Sequence, residues 1–148
     1  MKWLIPPILL AMTAVAMIAL HRVVTMPAIV PTPLNYWIGI PLVVAGLALS
    51  AAGSRRFRRA GTNIHTFRRP DVLVRDGVFS FSRNPMYLGF ALALLGFAIK
   101  LGTPLNFAVV AGFVVVVDLW HIRFEERMAA ETFGETYEAY RRETRRWI

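Results

Sequence analysis

The sequence contains no cysteine and few charged residues. Without cysteine the chain cannot form a disulfide, a zinc–thiolate site or a cysteine nucleophile, so thiol chemistry is excluded. Charged residues make up 18% of the chain and hydrophobic residues 56%, whereas soluble domains average about 25% charged residues. The hydrophobic residues fall into long blocks. This pattern excludes a disordered chain and an ordinary soluble domain, and it predicts a membrane protein.

The sequence motifs of several soluble enzyme classes are also missing. We find no G-x-G-x-x-G between a strand and a helix, no Walker A motif, no H-E-x-x-H and no G-x-S-x-G. The sequence therefore gives no support to a dehydrogenase, an NTPase or a serine hydrolase, and we expect no metal site.

Four hydrophobic blocks are long enough to cross a bilayer. They are residues 3–20, 36–53, 86–101 and 105–124. At 1.5 Å per residue, a helix of about 18 residues reaches roughly 27 Å, close to the hydrocarbon thickness of about 30 Å. We predict an all-α polytopic membrane protein with about four transmembrane helices in a single domain, residues 1–148.

The first block also has features of a cleavable signal peptide. Lys2 precedes the apolar stretch, and residues 14–16 are small enough for a cleavage site. The apolar run continues to Leu20, past that site, so a retained helix is the favoured interpretation.

The positive charges predict the orientation in the membrane. With both termini in the cytoplasm, 15 of the 17 Lys and Arg residues lie on the cytoplasmic side, and only Arg22 and Lys100 lie on the other. The positive-inside rule selects this orientation. We therefore interpret the net charge of +8 as a topology signal rather than a nucleic-acid site, and expect a bacterial or archaeal inner-membrane protein.

Two further segments have recognisable local patterns. Asp76-Gly77 lies between apolar residues and predicts a hairpin or a tight turn. Residues 125–142 predict an interfacial helix on the cytosolic surface, because Phe133, Tyr137 and Tyr140 share one helical face. Gly134 is expected to interrupt this helix.

Close helix packing is expected in the second hydrophobic block. Gly46 and Ser50 are four residues apart, a spacing that allows another helix to approach closely.

Polar residues at the inner ends of the third and fourth blocks are the candidates for chemistry. They are Asn84, Tyr87, Asp118, His121, Arg123, Glu125 and Glu126. On an α-helix Asp118, His121 and Glu125 share one face. One interpretation is that these residues neutralise each other and let the helix end leave the bilayer. The other is that they bind a cationic or polyhydroxyl ligand, because the two adjacent glutamates carry more negative charge than one neighbouring arginine balances.

The same segments resemble sequence elements of the isoprenylcysteine carboxyl methyltransferase and phospholipid methyltransferase superfamily. Residues 82–89 are similar to its R-[HN]-P-x-Y-x-G element. Residues 123–140 are similar to its R-x-E-E-x6-F-G-x2-Y-x2-Y pattern in order and spacing. The resemblance covers about residues 62–147.

The resemblance implies that S-adenosylmethionine binds at the cytosolic membrane face. The cofactor-binding residues that it implies are Arg83, Asn84, Pro85, Tyr87, Leu88, Gly89, Glu125 and Glu126. The resemblance implies that the ring face of Tyr87 lies near the sulfonium cation, which aromatic faces attract. It also implies that the carboxylates of Glu125 and Glu126 accept from ribose hydroxyls or pair with the cofactor's amino group, and that Arg83 binds its carboxylate. Gly89 has no side chain, so the backbone there can approach the cofactor.

The implied catalytic residues are His121, Arg123 and Glu125. His121 or Glu125 is a general base if the acceptor must lose a proton. Alternatively, His121 positions an anionic acceptor by its charge. We favour this second role because isoprenylcysteine enzymes tend to carry arginine here, and arginine is not a base near neutral pH. Asn84 occupies a position where many relatives have histidine.

The function that the resemblance implies is methyl transfer to a lipophilic or amphiphilic acceptor. A lipid amine, a prenylated cysteine and a hydrophobic thiol or carboxylate all fit, and the sequence leaves the acceptor and the oligomeric state open. The alternative is a non-catalytic helical membrane subunit whose polar cluster only anchors the helix ends.

Overall fold

The computed structural model describes residues 6–61 and 71–148, which form helices joined by turns. The α-helices are α1 (Pro6–Val23), α2 (Leu34–Arg59), α3 (Pro85–Leu101), α4 (Pro104–Val116), α5 (Arg123–Phe133) and α6 (Glu135–Glu143). The described residues contain no strand. The predicted all-α fold is confirmed.

The helices have the length and composition of membrane spans. Helices α1 and α2 and the continuous helical segment Pro104–Phe133 are long and apolar enough to cross a bilayer, and α3 is a shorter apolar helix of 17 residues. The chain is an integral membrane protein. Each predicted span falls on one of these helices, except that residues 3–5 of the first span lie outside the described residues.

The helix ends follow from proline and glycine. Helices α1, α3 and α4 begin at a proline, which has no N–H to leave unsatisfied in a first turn and has a helical φ. Gly102, at φ +77°, follows the end of α3, in a conformation that glycine adopts without the steric cost of a Cβ. Its N–H donates to Ala98 O at 2.8 Å.

Helix α2 is longer than the predicted second span. Helix α2 continues six residues beyond residue 53, to Arg59. Arginine is a good helix former, and its side chains are solvated outside the hydrocarbon region, so the helix does not need to end at the membrane boundary.

Helix α4 runs into α5 through a π-helical segment, Val117–Ile122. The N–H of Arg123 donates to the carbonyl of Asp118, five residues earlier. A π-helical turn contains more residues than an α-helical one. The prediction that residues 118, 121 and 125 share one face assumed α-helical spacing, which this segment does not have.

The chain divides into two compact units. The described part of the first unit, residues 6–48 and 89–115, contains most of the apolar helical residues. A Cβ atom placed on Gly46 would lie 2.5 Å from both Gly89 O and Ala93 N, so α2 and α3 touch at their backbones here. The predicted close approach of a helix at Gly46 is confirmed.

The described part of the second unit, residues 49–61, 71–88 and 116–148, contains the polar segments. After Asp76, residues Gly77–Ser80 form a 3₁₀ helix. The tight turn is confirmed, and the hairpin alternative is wrong because no strands flank it in the described residues.

The predicted interfacial helix, residues 125–142, is two helices. Gly134, at φ +52°, separates α5 from α6, so the predicted interruption is confirmed. Tyr137 and Tyr140 are each 4% exposed. The Tyr140 hydroxyl donates to Phe79 O at 2.6 Å. The aromatic face of α6 is therefore buried within the protein.

Candidate active site

The two sequence elements meet at Tyr87 and Glu125. Pro85 starts α3 and places Tyr87 in its first turn, while Glu125 lies in the first turn of α5. The Tyr87 hydroxyl donates a hydrogen bond to Glu125 Oε1 at 2.7 Å, and Tyr87 is only 3% exposed. A hydrogen bond to a carboxylate is stronger than one between neutral groups. It therefore fixes the start of α3 against the start of α5.

His121 lies beside this contact. It belongs to the π-helical segment, is 1% exposed, and its ring centroid is 6.1 Å from that of Tyr87, with the rings tilted by 49°. We call Tyr87, His121 and Glu125 the Tyr87 cluster. The cluster combines an aromatic face, an imidazole and a carboxylate.

Glu126 is held between two arginines. Its Oε1 accepts from Arg83 Nη2 at 2.7 Å, and its Oε2 accepts from Arg146 Nη2 at 2.6 Å. The side chains of Arg83 and Glu126 are 8% and 12% exposed. Two guanidinium groups thus neutralise one largely buried carboxylate, which is the condition for such a charge to be tolerated. We call Arg83, Glu126 and Arg146 the Glu126 clamp.

The clamp also fastens the C-terminal segment to the start of α3. Arg83 Nη1 donates to the carbonyls of Arg141 and Thr144, at 3.1 and 2.6 Å, and its backbone N–H donates to Arg145 O. Asn84 Nδ2 donates to Arg146 O at 3.1 Å. These hydrogen bonds hold Arg83 and Asn84 to the C-terminal segment.

Arg146 is the residue that the sequence reasoning missed. Besides Glu126, its guanidinium contacts both oxygens of Asp118, which also accepts from Trp147 Nε1 at 3.0 Å. With only Arg123 counted as a counterion of the two glutamates, the sequence predicts unbalanced negative charge. For Glu126 this prediction is wrong, because Arg83 and Arg146 bind its carboxylate. Arg146 lies 20 residues from Glu126, so no local spacing reveals the pair. The one indication in the sequence was that the two adjacent glutamates needed a second positive partner.

The remaining predicted residues lie at the edges of the cluster or in the protein interior. Arg123 is 58% exposed, and Asp118, at 3.9 Å, is its ion partner among the residues that the structure describes. Pro85 and Leu88 are buried at the start of α3. Gly89 is buried in the first unit, where its carbonyl faces Gly46. The structure brings together Tyr87, His121 and Glu125, and separately Arg83 and Glu126. It does not bring Arg123 or Gly89 into either group.

Burial and charge shift the pKa values of groups around the clamp. Burial, with the negative charge of Glu126 as a second cause, raises the pKa of Tyr137 to about 12. Burial also raises the pKa of Tyr140. The hydrogen bond with Glu126 raises the pKa of Arg146, so this guanidinium stays charged.

Comparison with known proteins places these segments in a family. The sequence profile described as phospholipid methyltransferase matches residues 34–136, which include residues 83–89 and 123–126. The chain is 39% identical over 75 residues to the protein-S-isoprenylcysteine O-methyltransferase of Saccharomyces cerevisiae, covering 47% of this chain and 29% of that protein. It is 37% identical over 76 residues to the Schizosaccharomyces pombe enzyme of the same name, covering 48% of this chain and 30% of that protein.

A plant relative aligns over a longer stretch. The chain is 28% identical over 116 residues to protein-S-isoprenylcysteine O-methyltransferase B of Arabidopsis thaliana, covering 72% of this chain and 56% of that protein. The matched region thus spans less than a third of the two fungal relatives and about half of the plant one. No solved structure matches this chain.

Proposed function

The chain belongs to the phospholipid methyltransferase family, and from this premise we propose that it transfers a methyl group from S-adenosylmethionine to a lipophilic acceptor at the cytosolic membrane face. The hydrogen bond between Tyr87 and Glu125, 2.7 Å long, carries the proposal. These two residues come from the two family-like elements, 38 positions apart. Their contact joins polar side chains of both elements in one cluster.

The Tyr87 cluster fits S-adenosylmethionine chemically. Aromatic faces attract a sulfonium cation, and Tyr87 and His121 supply two rings whose centroids lie 6.1 Å apart. The carboxylate of Glu125 is chemically suited to accept hydrogen bonds from ribose hydroxyls or from an ammonium group of the cofactor. When bound, S-adenosylmethionine supplies an electrophilic methyl group and leaves as a neutral thioether.

We propose different roles for the cluster and the clamp. Tyr87 and Glu125 contact the cofactor directly. Arg83 and Glu126 engage each other and the C-terminal segment, so their role is to position the start of α3 beside α5. Pro85, Leu88 and Asn84 support the same geometry, because Pro85 fixes the first residue of α3 and Asn84 bonds to Arg146 O. Arg123 and Gly89 border the site.

We assign His121 an electrostatic role toward an anionic acceptor. It is buried beside Tyr87 and one turn before Glu125. A charge in a site with little water acts strongly on a nearby anion. Methyl transfer otherwise requires mainly that acceptor and methyl group are aligned in a dry site, which the buried rings of this cluster favour.

The proposed acceptor is an amphiphile that enters from the bilayer. The named relatives act on isoprenylcysteine, as their names state, so a prenylated cysteine carboxylate is the first acceptor to test, before lipid amines and hydrophobic thiols. We further propose that both termini are cytoplasmic, as the 15-to-2 distribution of positive charge favours. Reporter fusions at Ile148 and near Pro31 test this orientation, which requires a cytoplasmic and an external signal respectively.

A methyl-transfer assay tests the function. Detergent-purified protein is incubated with radiolabelled S-adenosylmethionine and each acceptor class, and labelled lipophilic product is extracted. Glu125→Gln should abolish most of the transfer. Glu131→Gln, an exposed change on the same helix α5, is the matched control and should retain it. Absence of both cofactor binding and transfer in the wild-type protein would favour the non-catalytic subunit.

A further inference from the structure

A basic pocket lies in the second unit, in addition to the Tyr87 cluster. It has a volume of about 820 Å³ and is formed by the last turns of α2, residues 72–76, Ser80 and the end of α6. Its cationic residues are Arg56, Arg59 and Arg75. The volume is within the range of small-molecule sites, about 300–1,000 Å³. The pocket is therefore large enough for more than a bare ion.

The charges in the basic pocket are not balanced internally. Arg56 forms an ion pair with Asp76. Neither Arg59 nor Arg75 forms an ion pair with another described residue. Two guanidinium groups thus line one concave surface without an ion-pair partner. The pocket's lining contains three arginines and two acidic residues, Asp76 and Glu143, so it keeps a net positive charge. A guanidinium group can donate two parallel hydrogen bonds to two oxygens of one phosphate group.

The hydroxyl side chains of the basic pocket donate hydrogen bonds within the protein. The hydroxyl of Ser80 donates to Gly77 O at 2.7 Å, and that of Tyr140 donates to Phe79 O. The arginines are consequently the main donors that the pocket offers to a ligand. An acidic group, rather than a neutral polar one, is the ligand that this donor set fits.

The wall of the pocket is partly apolar. Ala60 and residues Val72, Leu73 and Val74 line it. A free inorganic ion gains nothing from such a wall, whereas the glycerol and first acyl carbons of a lipid remove apolar surface from water there. The combination of arginine donors and an aliphatic wall fits an amphiphile with a phosphate group.

The position of the pocket along α2 places it at the membrane surface. Helix α2 has 26 residues, about 39 Å of helix, which exceeds the hydrocarbon thickness of about 30 Å. Arg56 and Arg59 are in its last turn. These residues therefore extend into the region of the lipid head groups, where basic residues next to a span attract anionic phospholipids.

We propose that the basic pocket binds the phosphate group of an anionic phospholipid. The lipid stabilises the second unit, because it bridges the end of α2 to Arg75 and the end of α6. It is not the methyl acceptor, and the proposal does not depend on methyl transfer.

Lipid-dependent unfolding of the detergent-purified full chain tests this proposal. Its unfolding temperature is measured while phosphatidylglycerol or phosphatidylcholine with identical acyl chains is added to the micelles. Phosphatidylglycerol should raise the unfolding temperature in a saturable manner, since a ligand of the native state stabilises it by mass action. Phosphatidylcholine should have little effect. Equal effects of the two lipids would overturn the proposal.

The matched variants are neighbours in the sequence. Arg59→Gln should weaken the apparent affinity for phosphatidylglycerol at least tenfold, and Arg75→Gln should do the same from the other wall. Arg58→Gln removes the same charge from the same exposed helix end but does not line the pocket, so it should leave the affinity nearly unchanged. If Arg58→Gln weakens binding as much as Arg59→Gln, the effect is general surface charge and the pocket assignment is wrong.

Inorganic phosphate distinguishes the two sources of a phosphate group. At concentrations up to 10 mM, roughly the range of weak binding constants, it should compete only weakly with the lipid because it lacks the apolar contacts. Arg59-dependent stabilisation by phosphate at the affinity of the lipid would support the phosphate chemistry but assign it to a soluble ligand. No stabilisation by either phosphate source in the wild-type protein would refute the site.

Discussion

Small residues bring the helices of the first unit together, whereas ion pairs and buried aromatic rings connect the segments of the second. In the first unit, the backbones at Gly46 and Gly89 approach so closely that a Cβ atom has no room. In the second unit, Glu126 bonds to two arginines and Tyr140 to a backbone carbonyl. In lipid, the hydrophobic effect does not drive helices together, so close packing must do so. Charged groups, by contrast, need partners when they are buried. We therefore expect the stability of the first unit to depend on side-chain volume and that of the second on charge.

Removing one arginine of the Glu126 clamp should have the largest effect. In Arg83→Met the Arg83 charge and its bonds to Glu126, Arg141 O and Thr144 O are lost. Loss of one partner from a buried pair costs about 3 kcal/mol or more. Arg123→Met breaks an exposed contact of 3.9 Å, so it should cost less than about 1 kcal/mol. Denaturant unfolding in detergent compares them, and equal losses would show that the clamp is not a buried ion pair.

Substituting alanine for each of two glycines in the first unit should change the stability by different amounts. In Gly46→Ala the new Cβ meets backbone atoms of α3 at 2.5 Å, so the helices must move apart, at a cost of about 1–3 kcal/mol. Gly112→Ala meets nothing within 4 Å and should be neutral or slightly stabilising, because alanine favours the helix. Thermal unfolding is the measurement. A tolerated Gly46→Ala would contradict the close packing of α2 and α3.

His121 tests whether charge also controls the chemistry of the second unit. If its role is electrostatic, a positive charge at this position supports transfer, whether an imidazolium or a guanidinium carries it. His121→Arg should then stay within about tenfold of the wild type and keep its rate to pH 9. His121→Gln, which is neutral, should be slow at every pH.

A general-base role gives the opposite pattern. In that case His121→Arg binds S-adenosylhomocysteine but does not transfer methyl groups, because arginine cannot accept the proton. Because His121 is 1% exposed, cofactor binding by each variant is measured first to establish that it folds.

The smallest expected effect concerns the buried tyrosines of the second unit. Burial and Glu126 raise the pKa of Tyr137 to about 12, so the folded state favours its protonated form. The resulting stabilisation is complete below about pH 10, the unfolded value, and is lost as the pH rises through 12. Absorbance at 295 nm should show a late tyrosinate component that Tyr137→Phe reduces, while the part due to Tyr140 remains. A variant with an unchanged late component would contradict the assignment.

The sequence predicts the first unit better than the second for a physical reason. A span is a local property, because about 20 apolar residues and a flanking proline or glycine determine it. The helix start at Pro104 therefore agrees with the predicted start of the fourth span at 105 within one residue. The break at Gly134 is local in the same sense. The family resemblance, which also depends on local motifs, is confirmed by the profile match.

The contacts of the candidate site are not local. Arg83 and Glu126 are 43 residues apart, and Asp118 and Arg146 are 28 apart, so helical spacing cannot pair them. The π-helical segment around His121 is also invisible to a periodicity of 3.6 residues. The residues of the candidate site could be named from the sequence, but Arg146, which binds the carboxylate of Glu126, could not.

Calorimetric titration with S-adenosylhomocysteine tests the central claim, that Tyr87 and Glu125 together form the cofactor site. The wild-type protein should bind, and Glu125→Ala should bind at least tenfold more weakly, since a hydrogen bond to a charged group contributes about 1.5–3 kcal/mol. Tyr87→Phe should weaken binding less, and the double variant should lose less than the sum of the two changes, because the residues share one hydrogen bond. Unchanged affinity in a folded Glu125→Ala protein would contradict the account.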